Sequence, residues 1–209
     1  MNEPVRRLAR LDPYCPEAEG AKALITGRQN FTPRRLVEPG PTEQHIVELL
    51  SAAAAAPDHG ELSPWRFVLI PATARARLGR VFRDALLERD AQATEQQQAD
   101  AREKAVRAPC LMLAVVDVGP RDPPIPSFER VVSLGCAIQN MLLLARAMGF
   151  GSGLSSGQAL RSTVLREAFG LAPDEHGVCF VSFGTVAKAR SMRARPSSGD
   201  ICSTFSDEG

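Results

Sequence analysis

Apolar residues recur at three- and four-residue spacings after Thr42. Ile46, Val47, Leu49, Leu50, Ala53 and Ala54 predict a one-faced helix to about Ala55, with Thr42 as its N-cap. The period then changes. Trp65-Arg66-Phe67-Val68-Leu69-Ile70, bounded by Pro64 and Pro71, is rich in aromatic and β-branched residues and predicts a strand. A second helix is expected from Thr73, presenting Leu78, Val81, Phe82, Ala85 and Leu86 on one side. The polar, Gln- and Ala-rich stretch from Glu88 to Lys104 is read as a solvated, mobile helical excursion. Cys110 to Val116 is a continuous apolar run of strand length, which implies burial on both faces and a central place in a sheet. From Phe128 to Met148 the pattern is helical and apolar nearly all round beyond Val131, so this helix belongs inside the core, with Gly149 closing it. An extended Gly/Ser-rich segment, Phe150 to Ser156, leads to a short helix from Ser162 to Phe169 capped by Gly170, then to a buried strand from Val178 to Phe183. Upstream, Ala18 to Thr26 predicts a short helix ending at Gly27, a position suited to a left-handed cap. Met1 to Glu17 mixes Pro4, Pro13 and Pro16 with charges and reads as a loose arm.

Composition narrows the function classes. With 209 residues, 44% of them hydrophobic, the chain can bury a full core. The expected organisation is one domain over residues 18–187, preceded by the arm at 1–17 and followed by a basic tail at 188–209. A formal net charge of +1 provides no global field for nucleic acid or an anionic membrane. The five cysteines, Cys15, Cys110, Cys136, Cys179 and Cys202, show no C-x-x-C spacing, which argues against a zinc or disulfide framework and suits a reducing compartment. The longest nearly apolar run, Val131 to Ala145, falls short of the roughly 20 residues a membrane helix needs and contains Ser133, Gln139 and Asn140. Arg6, Arg7 and Arg10 are not followed by an apolar signal region, so a cytoplasmic protein is expected.

Four places carry candidate chemistry. Arg28-Gln29-Asn30 combines a planar guanidinium fork, which suits phosphate, with carboxamides that offer donor and acceptor to a heterocycle edge. Taken alone it also reads as solvated loop. The second place is Ala56-Pro57-Asp58-His59-Gly60-Glu61-Leu62-Ser63-Pro64-Trp65, a polar loop holding one of three histidines and leading into the only Trp. A lone histidine there is more often a surface residue than a catalytic one. The third is Gly149-Phe150-Gly151-Ser152-Gly153-Leu154-Ser155-Ser156-Gly157, which follows a helix, whereas a dinucleotide fingerprint follows a strand and opens a helix. The fourth is the run of Lys188, Arg190, Arg193 and Arg195, which is either a solvated surface or an anion site. Cys136 on the core helix reads as packing. No Gly-x-Ser-x-Gly elbow and no metal-ligand spacing is present.

The first three places, in this order, resemble the nitroreductase family of FMN-dependent oxidoreductases. An Ala-Pro pair closing a helix, then seven residues, then Pro-Trp and an apolar strand is similar to that family's flavin loop. The Ala-Pro-Asp-His opening matches one branch of it. Arg28-Gln29-Asn30 resembles the family triplet that holds the flavin phosphate and pyrimidine edge. Met148-Gly149-Phe150-Gly151 to Gly157, with Arg166 to Gly170 downstream, resembles the Gly-rich strand that runs along the flavin. The likeness spans about Leu24 to Thr185. It departs from the branch in three places: Ala55 stands where an Arg precedes Ala-Pro, Glu61 stands where many members have Asn, and Leu154-Ser155-Ser156 replaces a Trp-Arg-Ser triplet.

The resemblance implies an α+β fold with a small, mixed, mostly antiparallel sheet flanked by helices, forming an intertwined homodimer with FMN at the subunit interface. Cofactor contacts would come from Arg28, Gln29, Asn30, Pro57, His59, Leu154, Ser155, Ser156, Gly157 and a basic tail residue, Arg193 or one of Lys188, Arg190 and Arg195. His59 would reach the flavin from the partner subunit and is the one candidate catalytic side chain. The implied reaction is a ping-pong hydride transfer from NAD(P)H through flavin N5 to a nitroaromatic, quinone or enone. A flavin store or regulatory protein without turnover, and a specialised flavin dehydrogenase, remain alternatives.

Overall fold

In a computed structural model that describes residues 15–122, 124–188 and 191–205, six helices and five strands follow one another along the chain. Helix α1, Pro16–Gly27, is followed by strand β1, Leu36–Val37, and helix α2, Glu43–Ala54. Strand β2 is Trp65–Leu69, and helices α3 and α4 are Arg75–Arg89 and Glu95–Glu103. Strand β3, Cys110–Asp117, precedes helix α5, Ser127–Ala147. Strand β4, Gly151–Ser155, helix α6, Thr163–Ala168, and strand β5, Glu175–Val186, complete the order. Residues 1–14 of the expected arm and Arg190 of the tail lie outside the described residues.

The sheet is built on β3 and β5. Its order is β1-β5-β3-β2, with β4 added to β5 beyond this path, and every strand pair is antiparallel. The parallel element is a single bridge between Asn30 and Ser152. Because side chains alternate along a strand, β3 serves two cores at once. Cys110, Met112, Ala114 and Val116 face a cluster with Leu49 and Ala53 of α2 and Leu134, Ala137, Met141 and Ala145 of α5. Leu111, Leu113 and Val115 face the opposite cluster, with Leu78, Val81 and Phe82 of α3, Ala101 and Ala105 around α4, and Leu165 of α6. The Phe180 ring of β5 meets Phe82 and Phe169 edge-on, at 5.4 and 6.3 Å between centroids.

Local chemistry sets the boundaries. Thr42 caps α2 through a reciprocal box with His45, whose N–H donates to the Thr42 hydroxyl at 3.3 Å. Gly149 and Gly170 take positive φ, 87° and 58°, where each closes a helix. Gly27 does not adopt the expected left-handed conformation. It is the last helical residue of α1, and a Cβ there would meet the Arg146 guanidinium carbon at 2.7 Å, so its small size admits that side chain.

Other expectations change as well. The α2 face divides: Leu49 and Ala53 are buried, whereas Val47 and Leu50 point outward. A short 3-10 turn, Ala72–Ala74, comes before α3, which starts at Arg75 rather than Thr73. The stretch read as a mobile excursion contains α4, boxed by Thr94 and Gln97 and seated on α3, where Gly79 allows the Arg102 backbone to approach. Strand β5 runs beyond Val178 to Phe183 at both ends. Helix α5 has the length and composition to cross a membrane, but one side of it forms the middle of the first core. Its other side leaves Phe128, Val131 and Val132 exposed.

A carboxylate locks the start of β5. Glu175 accepts two bonds from Arg66 on β2, at 2.6 and 2.9 Å, and one from the Ala172 N–H at 3.0 Å. These bonds, Arg66 foremost, hold its carboxyl at about 2, below the ordinary Glu value of 4.5. The depressed folded-state value means that the interaction stabilises the fold above the unfolded pKa and is lost as pH falls towards 2. Screening at the half-exposed Arg66 reduces its worth to about 1–2 kcal/mol. Glu175→Gln should therefore lower stability by about that amount in urea titrations at pH 7, and the gap to the parent should close between about pH 4.5 and 2.

Candidate functional site

The end of α1 delivers Arg28-Gln29-Asn30 onto the edge of β4. Phe31 N–H donates to the Ser152 carbonyl at 2.9 Å, and Leu154 N–H donates to Asn30 Oδ1 at 2.8 Å. The approach is close because residue 153 is glycine: a Cβ there would lie 2.9 Å from the Phe31 carbonyl carbon. Two stretches that are more than a hundred residues apart in sequence thus form one surface. Asn30 and Leu154 are exposed on it, Gln29 and Ser155 are half-buried, and Ser156 and Gly157 continue as an exposed rim. The Asn30 carbonyl oxygen is engaged by β4, which leaves its NH2 group as the free donor.

Cations gather around this surface. Arg195 from the tail donates to the Arg28 carbonyl at 2.8 Å, and the Arg146 guanidinium lies against Gly27. Burial, and then the charge of Arg195, lower the pKa of the Arg28 guanidinium. Among the described residues, none of the three forms an ion pair with a carboxylate. The carbonyl end of α1 accounts for part of the clustering, since helix C-termini favour positive charge. Guanidiniums that lack a counter-charge also have the donor chemistry that suits a phosphate. Arg195, rather than Arg193, makes the contact to the Arg28 segment. Arg146 was not singled out from sequence. The signal available was a cation in the last turn of the core helix, three residues before Gly149.

The second group lies elsewhere. After α2, Pro57 is exposed and a 3-10 turn, His59–Glu61, carries the histidine. Gly60, Glu61 and Ser63 have φ of 76°, 51° and 45°, so two non-glycine residues occupy the left-handed region within three positions. Side chains hold this backbone in place. Asp58 Oδ2 accepts from Ser63 N–H at 2.6 Å, and His59 Nδ1 lies 2.7 Å from Glu129 Oε2 in the first turn of α5. Trp65 anchors the end of the loop by donating Nε1–H to Ser133 Oγ at 2.9 Å.

Within one chain these groups do not meet. Glu129, beside His59, and Arg146, beside Arg28, stand near opposite ends of α5, and a rise of 1.5 Å per residue separates them by about 26 Å. The structure therefore joins Arg28, Gln29, Asn30, Leu154, Ser155, Ser156 and Arg195, and leaves Pro57 and His59 apart. Two surface clefts, of about 420 Å3 on the outside of α4 and about 440 Å3 between β1 and Arg75, lie away from both groups. No group of three or more possible metal ligands occurs among the described residues. Cys110 and Cys179 are packed in the core, where burial pushes both thiols up to about 11, and Cys136 packs against the same core.

Comparison with known proteins identifies the family. The nitroreductase family profile matches residues 29–185. The chain is 36% identical over 166 residues to a protein provisionally named NAD(P)H nitroreductase YdjA from Escherichia coli K12, covering 79% of this chain and 87% of that one. It is 32% identical over 165 residues to a provisionally named NAD(P)H nitroreductase of Haemophilus influenzae, covering 79% and 88%. Among solved structures, a nitroreductase-like family protein from Bacillus cereus superposes with a TM-score of 0.75 at 22% identity, covering 90% of this chain and 96% of that one. The FMN-dependent nitroreductase NfnB of Mycobacterium smegmatis, solved with NADPH, gives 0.68 at 16% identity, with 91% and 99% coverage. The matched span contains Gln29, Asn30, β4, the His59 loop and the sheet up to Thr185, and the chain belongs to the nitroreductase family.

Proposed function

We propose that the protein is an FMN-dependent oxidoreductase that works as a homodimer, taking hydride from NAD(P)H and reducing an electron-poor acceptor. The observation that carries this reading is the convergence of Arg28, Asn30 and Arg195 with the Leu154–Gly157 edge, while His59 stands a helix length away. The residues present fit FMN. Arg28 and Arg195, with Arg146 nearby, offer guanidinium donors to a phosphate, and no carboxylate among the described residues competes for them. Gln29 and the free NH2 of Asn30 suit the polar edge of the pyrimidine ring, and the small residues Ser155, Ser156 and Gly157 let a flat ring approach β4. When bound, the flavin would accept hydride at N5 from NAD(P)H and, after NAD(P)⁺ leaves, pass the electrons to a nitroaromatic, quinone or enone. Relatives named as NAD(P)H nitroreductases and a fold shared with an FMN-dependent nitroreductase support the same reading.

The apolar side chains that the described residues leave uncovered support the dimer. Phe128, Val131 and Val132 of α5, with Val47 and Leu50 of α2, expose apolar side chains on the outer side of the layer that spans both groups. A two-fold axis that sets two α5 helices antiparallel across this face buries them. It also carries His59 of one subunit towards the Arg28 end of the other, because an antiparallel pairing exchanges the ends. The site is then made by two chains, and the Pro57–Glu61 loop covers the ring from the far side. A flavin store without turnover is distinguished by anaerobic mixing with NADH or NADPH: bleaching of the yellow colour marks the enzyme, and an unchanged oxidised spectrum marks the store.

The purified protein is expected to be yellow and to bind one FMN per chain. Arg28→Ala should weaken FMN binding about tenfold, the worth of one charge-assisted hydrogen bond, with little change in the thermal midpoint of the flavin-free protein. Equal loss of binding and folding would make Arg28 a structural residue. Val132→Glu should convert the dimer to monomer in sedimentation experiments and release the flavin with it, because a carboxylate in the apolar seam is left unpaired. If the Val132→Glu variant stays dimeric and keeps its flavin, the interface lies elsewhere.

A further inference from the structure

His59 is exposed, yet its ring is not free to choose its tautomer. Its side chain is 67% accessible, and Nδ1 sits 2.7 Å from Glu129 Oε2, whose side chain is 35% accessible. A carboxylate accepts hydrogen bonds and does not donate, so this contact requires the proton on Nδ1. Nε2 is then the nitrogen that gains and loses a proton, and it points away from the contact.

The rest of the turn fixes the ring in place. Gly60, Glu61 and Ser63 in the left-handed region and the Asp58–Ser63 bond determine the path of the loop. Glu129 belongs to the rigid α5, whose neighbouring Trp65–Ser133 bond ties down the other end of the loop. A strained backbone on an exposed loop, carrying an oriented imidazole beside an uncovered apolar face, is more structure than a solvated histidine needs.

We propose that Glu129 is a positioning residue that holds His59 with Nε2 directed at the acceptor, so that His59 supplies the proton that accompanies each hydride. This rests on the reading of the chain as a dimeric FMN oxidoreductase. For a quinone, one hydride equivalent originating in NAD(P)H and one proton convert a carbonyl pair to a hydroquinone. The hydride adds two electrons, the Nε2–H bond of the doubly protonated imidazolium breaks, and its proton goes to the acceptor oxygen. The neutral imidazole keeps Nδ1–H on Glu129 and recovers its Nε2 proton from water. Glu129 thus acts only through His59, as a carboxylate that orients a working histidine does in other sites.

Two readouts separate this role from a merely structural one. In long-range 1H–15N spectra of the chain labelled at histidine, with and without FMN, the resonance lost in His59→Gln should show neutral His59 protonated at Nδ1. Glu129→Gln, whose carboxamide donates as well as accepts, should redistribute it towards Nε2–H. In steady-state assays with NADPH, Glu129→Gln should slow quinone reduction about tenfold, a fraction of the 10²–10⁴ that acid catalysis typically contributes. It should slow ferricyanide, which takes single electrons and no proton, far less. The double variant with His59→Gln should be no slower on quinone than His59→Gln alone. An unchanged tautomer, equal slowing of both acceptors, or losses that add in the double variant would each overturn the proposal. If the chain binds no FMN, or its flavin does not bleach, the oxidoreductase reading falls and this proposal with it. If flavin binds and bleaches while any of the three contrary results appears, only the role of Glu129 falls.

Discussion

The constraint on which the structure depends is that β3 must be buried on both faces. Its residues from Cys110 to Val116 are all apolar and all within 5% of full burial, so each face of the sheet needs its own helical layer. Helix α5 forms the middle of one layer, and to do so it must be apolar along the side that meets Met112 and Val181. The same helix keeps Phe128, Val131 and Val132 on its outer side, where the described residues leave them exposed. A core requirement therefore also leaves the apolar face on which the proposed second subunit would sit. The 21 residues of α5 set the distance between the two halves of the candidate site as well.

Much of this was legible because burial imposes period. The strands at Trp65, Cys110 and Val178, the helix from Phe128 and the caps at Thr42, Gly149 and Gly170 follow from local pattern, and the fold confirms them. The misreadings arose where a residue answers to a tertiary neighbour. Gly27 looks like a helix cap, yet it is small because Arg146 crosses it. Val47 and Leu50 match the α2 stripe by period, but α5 covers only part of that stripe. The stretch after Glu88 looks solvated because its buried side is made of Ala101 and Ala105, whose small side chains hardly register in a hydrophobic pattern.

The site divides along the same line. The Arg28 triplet and the Gly-rich segment stand out as residue types, but their meeting depends on a single glycine, Gly153, that lets the two backbones touch. Arg195 could not be told from Arg193 by sequence, since a charge run has no period and only the path of the tail selects which guanidinium reaches Arg28. Glu129 was invisible for a related reason. An acidic residue in the first turn of a helix is favoured by the macrodipole wherever it occurs, so its presence needs no partner to explain it.

The nearness of Glu129 to the helix N-terminus bears on what it can do. Its place in the first turn of α5 puts the Glu129 side chain on a fixed helical frame, 2.7 Å from His59 Nδ1. A carboxylate is an acceptor both for a neutral imidazole and for a charged one. The tautomer of His59 is then set by the fold rather than by the ligand that arrives, and the position of Nε2 is decided before any acceptor binds. That is a property of one chain. In the proposed dimer a second chain would add the other end of α5, with the cations at Arg28, so the halves of the site would come into register through the same helix that the sheet requires for its core.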